Sequence, residues 1–157
     1  MRSQDDTRDA RELQAQVQHF VRQFGLLVTK QTPCGQPVSP SYAHALMFLR
    51  EREAQGLVTS QTELAENLGL DKSSVARLCA RLDADGRVTQ RRSAEDGRSR
   101  ELELTGRGRK MAETTENASL DRFLRVLAGV PKAKRRTLID SLAILTAAVT
   151  ALEEEST

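Results

Sequence analysis

The residues best equipped for chemistry in this chain are cations and short hydroxyls rather than a catalytic set. Lys72, Ser73, Ser74 and Arg77 fall within six positions, and Arg91, Arg92, Arg98 and Arg100 within ten. Groups of these types bind anions and read hydrogen-bonding edges. An Arg fork pairs bidentately with phosphate or guanine, and short Ser and Ala side chains let a helix sit deep in a groove. Covalent chemistry has far less support. His19 and His44 are the only histidines, no Ser/His/Asp or phosphate-cradling Gly pattern accompanies them, and Cys34 and Cys79 form no CxxC pair. No catalytic residue is assigned and no enzyme is expected; a thiol enzyme working through Cys34 is the enzymatic alternative.

Caps and apolar spacing define the elements that hold these groups. Ser60 and Glu63 make a capping box, Leu64, Ala65 and Leu68 form the buried side of a two-turn helix, and Gly69 ends it. Asp71 caps the next helix, in which Val75, Leu78, Cys79 and Leu82 recur at i, i+3, i+4 and i+7 and face inward. The outer face is then Lys72, Ser73, Ala76, Arg77 and Ala80. After Asp85-Gly86, RVTQRR reads as a strand, SAEDGRS as a hairpin loop and RELEL as a return strand with Leu102 and Leu104 inward. Thr105 caps the helix after that strand. This order is a helix-turn-helix beside a basic hairpin. Such a motif places its second helix in the major groove of DNA and its hairpin at the phosphates or minor groove.

The flanks are helical. Leu13, Val17, Phe20, Val21, Phe24, Leu27 and Val28 recur at spacings of three and four and predict a helix over residues 8–31. The loop TPCGQPVSP comes next, and Ser39-Pro40 opens a helix that runs to about Gln55 before Gly56. A long helix is expected from 106 to 128, with AETTENAS at its middle polar enough to stand alone in solvent as a connector. Pro131 opens a last amphipathic helix to about Leu152, and residues 153–157 are expected to fray. The end helices carry more apolar positions than the central unit can cover. A two-fold homodimer would cover them and present two recognition helices to the half-sites of a pseudo-palindromic duplex.

Whole-chain properties agree. The 157 residues suit one functional unit; Trp is absent, with one Tyr and four Phe, which favours a mostly helical protein over an all-β one. Net charge is only +2, but residues 87–110 hold eight basic groups against four acidic ones, so the cationic surplus is local. No apolar run approaches a membrane span, and the polar start MRSQDDTRDARE carries no signal core. A cytoplasmic location without membrane association is expected.

Residues 40–110 resemble the MarR family of winged helix-turn-helix transcriptional regulators. The recognition-helix signature stands here as Asp71-Lys72-Ser73-Ser74-Val75-Ala76-Arg77-Leu78, and the wing signature as Asp96-Gly97-Arg98-Ser99-Arg100-Glu101-Leu102-Glu103-Leu104-Thr105. The resemblance implies a mainly α fold with a small β wing: a DNA-binding lobe over 40–105, flanked by dimerisation helices at 8–31 and 106–152. It also implies that Ser73, Ser74, Ala76 and Arg77 lie in the major groove, Arg98 at the wing tip enters or skirts the minor groove, and Asp96 helps orient the wing. Lys72 and Arg100 complete the expected DNA-binding set. Members of the family are most often repressors that respond to a small, often phenolic ligand, to oxidants or to a metal.

Candidate sensor residues are Cys34, in a loop, and Tyr42, His44 and Met47, near the start of the second helix where the family's pocket opens. For each of them ordinary packing, or an unreactive thiol, is the competing explanation. Cys79 fits a small buried apolar side chain. Cys34, His19 and His44 lack a compact ligand spacing, so no metal or cofactor is assigned. A winged-helix adaptor that binds protein instead of DNA is the non-enzymatic alternative, although the retained Arg91, Arg92, Arg98 and Arg100 count against it.

Overall fold

Glycines in the left-handed conformation and polar caps set the helix boundaries. The computed structural model describes residues 4–27, 29–93 and 99–155. Helix α1 (Gln4–Phe24) starts with Asp5 and Asp6 in its first turn, where carboxylates offset the exposed N–H groups. It ends at Gly25, whose φ of 84° only glycine adopts readily. Leu26 N–H then donates to the Val21 carbonyl and Gly25 N–H to that of Arg22, which stops the helix well before residue 31. Apolar spacing overestimates its length because it registers side chains and not the backbone turn. Val28, included in that apolar face, lies outside the described residues.

Helix α2 (Pro40–Ala54) begins as its sequence predicts: the Ser39 hydroxyl accepts from Tyr42 N–H, and Pro40 occupies the first turn. Strand β1 (Thr59–Ser60) comes next, and then helix α3 (Gln61–Leu68), opened by the full Ser60/Glu63 capping box. Helix α4 (Lys72–Ala84) is capped by Asp71, and strands β2 (Val88–Arg92) and β3 (Arg100–Leu104) form the wing. The three strands are antiparallel in the order β1-β3-β2. Strand β1 is not foreseen from sequence; its two residues are defined by partners, Thr59 opposite Leu102 and Ser60 opposite Glu101.

The core is the one the apolar spacing implies. Leu46 and Leu49 of α2, Leu64 of α3, Val75, Cys79 and Leu82 of α4, and Val88, Leu102 and Leu104 of the sheet are all buried. Arg52 ties the corner between α2 and α3, donating to the Val58 carbonyl at 2.9 Å and to Glu63 Oε1 at 2.6 Å.

Helix α5 (Gly106–Ala128) leaves the wing through a tight joint. The Thr105 hydroxyl donates to the Gly86 carbonyl and accepts from Gly108 N–H, while Thr105 N–H donates to the Arg87 carbonyl. Gly108 is obligatory there, since a Cβ would stand 2.0 Å from the Arg87 carbonyl oxygen. The AETTENAS stretch corrects one expectation: Ala112 and Thr115 are buried, the Thr115 hydroxyl is satisfied by the Met111 carbonyl, and Glu116 pairs with Arg50 of α2. It packs on the core through Ala112 and on α2 through Glu116, and does not stand free in solvent.

The chain divides into two compact units, one up to Ser119 and one from Leu120. The second holds the end of α5 and helix α6 (Lys132–Glu154). Helix α6 has no buried residue and continues two residues past the expected end at Leu152. No helix among the described residues is long and apolar enough to cross a membrane.

Candidate nucleic-acid interface

Burial of Val75, Cys79 and Leu82 fixes the rotation of α4, leaving Lys72, Ser73, Ala76, Arg77 and Ala80 exposed on the other side. The start of this helix is tightly organised. Asp71 Oδ1 accepts from the backbone N–H groups of Ser73 and Ser74, both at 2.9 Å. The two hydroxyls also donate to this carboxylate, Ser73 to Oδ1 and Ser74 to Oδ2, each at 2.6 Å. These donors, the Ser73 hydroxyl foremost, hold the Asp71 carboxyl well below the usual carboxylate range. Ser74 Oγ also accepts from Arg77 at 3.2 Å. Both serine protons are thus committed to the cap, and toward an incoming base edge the two hydroxyls act as acceptors.

The wing contributes cations in a defined register. Arg91 stands opposite Glu101 and pairs diagonally with Glu103 at 3.2 Å on the exposed face of the strands. Arg92 and Arg100 stand directly opposite each other, and neither has an ion pair among the described residues. Like charges facing across a strand pair repel, and an anion between them would relieve the repulsion. Arg100 also shares a cleft with α4: with Lys72, Gln61, Thr62, Ala65, Val75 and Ser99 it lines a space of about 500 Å³. Lys72 and Arg100, drawn from separate motifs, therefore converge on one cationic recess. Arg98 and Asp96 lie outside the described residues.

Gln90 is a positioning residue that sequence reasoning missed. Gln61 donates to Gln90 Oε1 at 2.6 Å, and the Gln90 amide donates to Asp83 Oδ2 at 3.2 Å, so one side chain of β2 holds α3 and α4 together. Its position on a strand gives no sequence signal of this, because both partners are distant in the chain. At the far end of α4, the buried Tyr42 donates its hydroxyl to Asp85 Oδ2 at 2.9 Å, and the Arg81 guanidinium lies 5.3 Å from its ring centre. Burial, and secondarily the Asp85 carboxylate, push the Tyr42 hydroxyl above its ordinary pKa.

The four candidate sensor residues have different surroundings. Tyr42 serves the core and the end of α4, His44 is exposed, and Met47 is half-buried. Cys34 is half-buried in the turn before α2, with its sulfur 3.0 Å from the hydroxyl of Thr32. Cys79 is fully buried, and desolvation pushes its thiol up to about 11, so it stays protonated as a small apolar group. Among the described residues no three His, Cys, Asp or Glu side chains gather as a metal site.

Comparison with known proteins agrees with this geometry. Residues 36–99 match the model of the MarR family. An uncharacterized HTH-type transcriptional regulator, YdgJ of Bacillus subtilis (strain 168), is 36% identical over 85 residues, which are 54% of this chain and 51% of that protein. The chain thus spans about half the length of that relative. Among solved structures, the PcaV transcriptional regulator from Streptomyces coelicolor, in complex with its natural ligand, superposes with a TM-score of 0.60 at 25% identity, covering 89% of this chain and 90% of that one. A MepR–DNA complex from S. aureus gives a TM-score of 0.63 at 16% identity, covering 91% and 94%. That second likeness concerns the fold alone.

Proposed function

We propose, from the match of residues 36–99 to the MarR family of transcriptional regulators, that this chain is a regulator of that kind and binds duplex DNA in a sequence-specific way as a homodimer. The observation that carries the reading is the convergence of Lys72, on the exposed face of α4, with Arg100 of the wing on one recess. Lys72 and Arg100 hold backbone phosphates, while Arg77 and the acceptor oxygens of Ser73 and Ser74 meet base edges beside the small Ala76. Arg98 at the wing tip and Asp96 beside it join this set on the sequence signature alone. MepR in its DNA complex has the same fold, which supports the reading.

The homodimer follows from apolar surface. Leu13, Val17 and Phe20 of α1, and Leu138, Ile139, Leu142 and Val149 of α6, are all at least 40% exposed in the single chain. A second copy covers such faces and sets the spacing of two recognition helices. A small ligand or oxidant tunes DNA affinity by favouring one helix spacing over another, and the regulator acts as a repressor that the ligand releases. The ligand-bound PcaV structure supports the ligand half of this reading.

The test is selection of bound fragments from genomic DNA by the full-length protein, followed by mobility shifts on the recovered sequence and a scrambled control. A shared two-fold motif and preference over the control are expected. Recovery of fragments with no common motif would contradict sequence-specific binding, and a monomer in sedimentation would contradict the dimer.

A further inference from the structure

Among the described residues, the edge of β3 away from β2 is joined at Thr59 and Ser60, opposite Leu102 and Glu101. Just before them, Leu57 and Val58 line a cavity of about 390 Å³ together with Glu103 and Leu104. This is within the range of small-molecule sites, roughly 300–1,000 Å³. Buried Leu49, Leu102 and Leu104 line it, together with Leu57 and Val58, which are 45% and 63% exposed. None of Cys34, Tyr42, His44 or Met47 is among its lining residues, and neither is any residue of α4.

Its charged lining selects the sign of an occupant. Three carboxylates, Glu53, Glu101 and Glu103, share it with the single guanidinium of Arg91. Arg109 holds Glu53 through contacts of 2.6–3.0 Å, and Arg91 holds Glu103 at 3.2 Å. Glu101, half-buried, has no side-chain partner among the described residues. A neutral apolar occupant would strip water from the Glu101 carboxylate without replacing it, and an anion would face both Glu101 and Glu103. A cation on an apolar body satisfies the lining and the rim together.

We propose that this cavity is a binding site for a small organic monocation, with its apolar part against Leu57, Val58 and Leu102 and its ammonium at Glu101. The test is amide NMR of the full-length protein titrated with benzyltrimethylammonium, with benzoate and benzyl alcohol as comparators. Saturable shifts at Leu57, Val58, Glu101 and Glu103 are expected with the ammonium compound. Affinity should fall about tenfold in Glu101→Gln and be retained in Glu101→Asp, as suits loss of a charge-assisted contact. Absence of saturable shifts, shifts centred elsewhere, equal binding of either comparator, or an unchanged affinity in Glu101→Gln would each overturn the assignment.

Discussion

Arg92 and Arg100 are direct partners in the β2–β3 ladder, two cationic residues opposite each other at the loop end of the wing strands. Such a pair costs stability in the free protein and gains a role when an anion lies between the two. Removing one charge should therefore act in opposite directions on folding and on binding. Arg92→Ala is expected to raise unfolding free energy slightly, by at most about 1 kcal/mol, in a denaturant titration. In a salt titration of DNA binding it should lower the slope by about one unit. A loss of stability together with an unchanged slope would show that Arg92 serves the fold.

Arg77→Ala addresses base reading. If Arg77 contacts a base edge, the variant loses about 1–3 kcal/mol on the selected sequence and much less on scrambled DNA. Equal losses on both would make Arg77 a backbone contact.

Gly108→Ala tests the joint between the wing and α5. The added Cβ would lie 2.0 Å from the Arg87 carbonyl oxygen, whereas at Gly106 nothing lies within 4 Å. Gly108→Ala should lose about 1–3 kcal/mol or more in chemical unfolding. Gly106→Ala should be neutral or mildly stabilising, because alanine is the better helix former. Similar values for the pair would mean that the close approach is not there.

The Tyr42 hydroxyl gives an alkaline signature. Its pKa is raised in the folded protein above the ordinary 10.0, so the native state holds the proton more tightly than the unfolded chain. The corresponding stability is fully present below pH 10 and is lost as pH rises through the folded value. Tyr42→Phe should lose about 1 kcal/mol near neutrality, with the Asp85 bond gone, and show a shallower decline of stability above pH 10. Melting curves from pH 7 to 11 check both; an unchanged alkaline decline would assign it to other groups.

The two thiols should differ in reactivity. Cys79 is fully buried with its thiol pushed up to about 11, and Cys34 is half-buried in a turn. Alkylation of the native protein should proceed at Cys34 first and reach Cys79 only on unfolding. Mapping the modified peptides by mass spectrometry decides this, and early labelling of Cys79 would contradict the packing of α4.

Legibility in the sequence followed the range of the interaction. The Asp71 cap, the Ser60/Glu63 box and the inward stripe of α4 could be read because each is decided within a few residues. The strand Thr59–Ser60 could not, since two residues carry no periodicity and only β3 defines them. Ala112 and Thr115 escaped because small and hydroxylated residues read as polar, although the Thr115 hydroxyl is satisfied within its own helix. Within the candidate site, the exposed face of α4 was readable. The meeting of Lys72 with Arg100 and the bridge from Gln61 to Gln90 depend on tertiary placement and were not.

The most direct test of the central claim is the affinity of the full-length protein for its selected duplex as salt concentration rises. With Lys72, Arg92 and Arg100 on phosphates, the logarithm of affinity should fall linearly with the logarithm of salt, by roughly 0.9 for each phosphate neutralised. The slope should be shallower in Lys72→Ala and Arg100→Ala. Undetectable binding at low salt, or a slope that these variants leave unchanged, would contradict the assignment of the α4 face and wing as a DNA-binding surface.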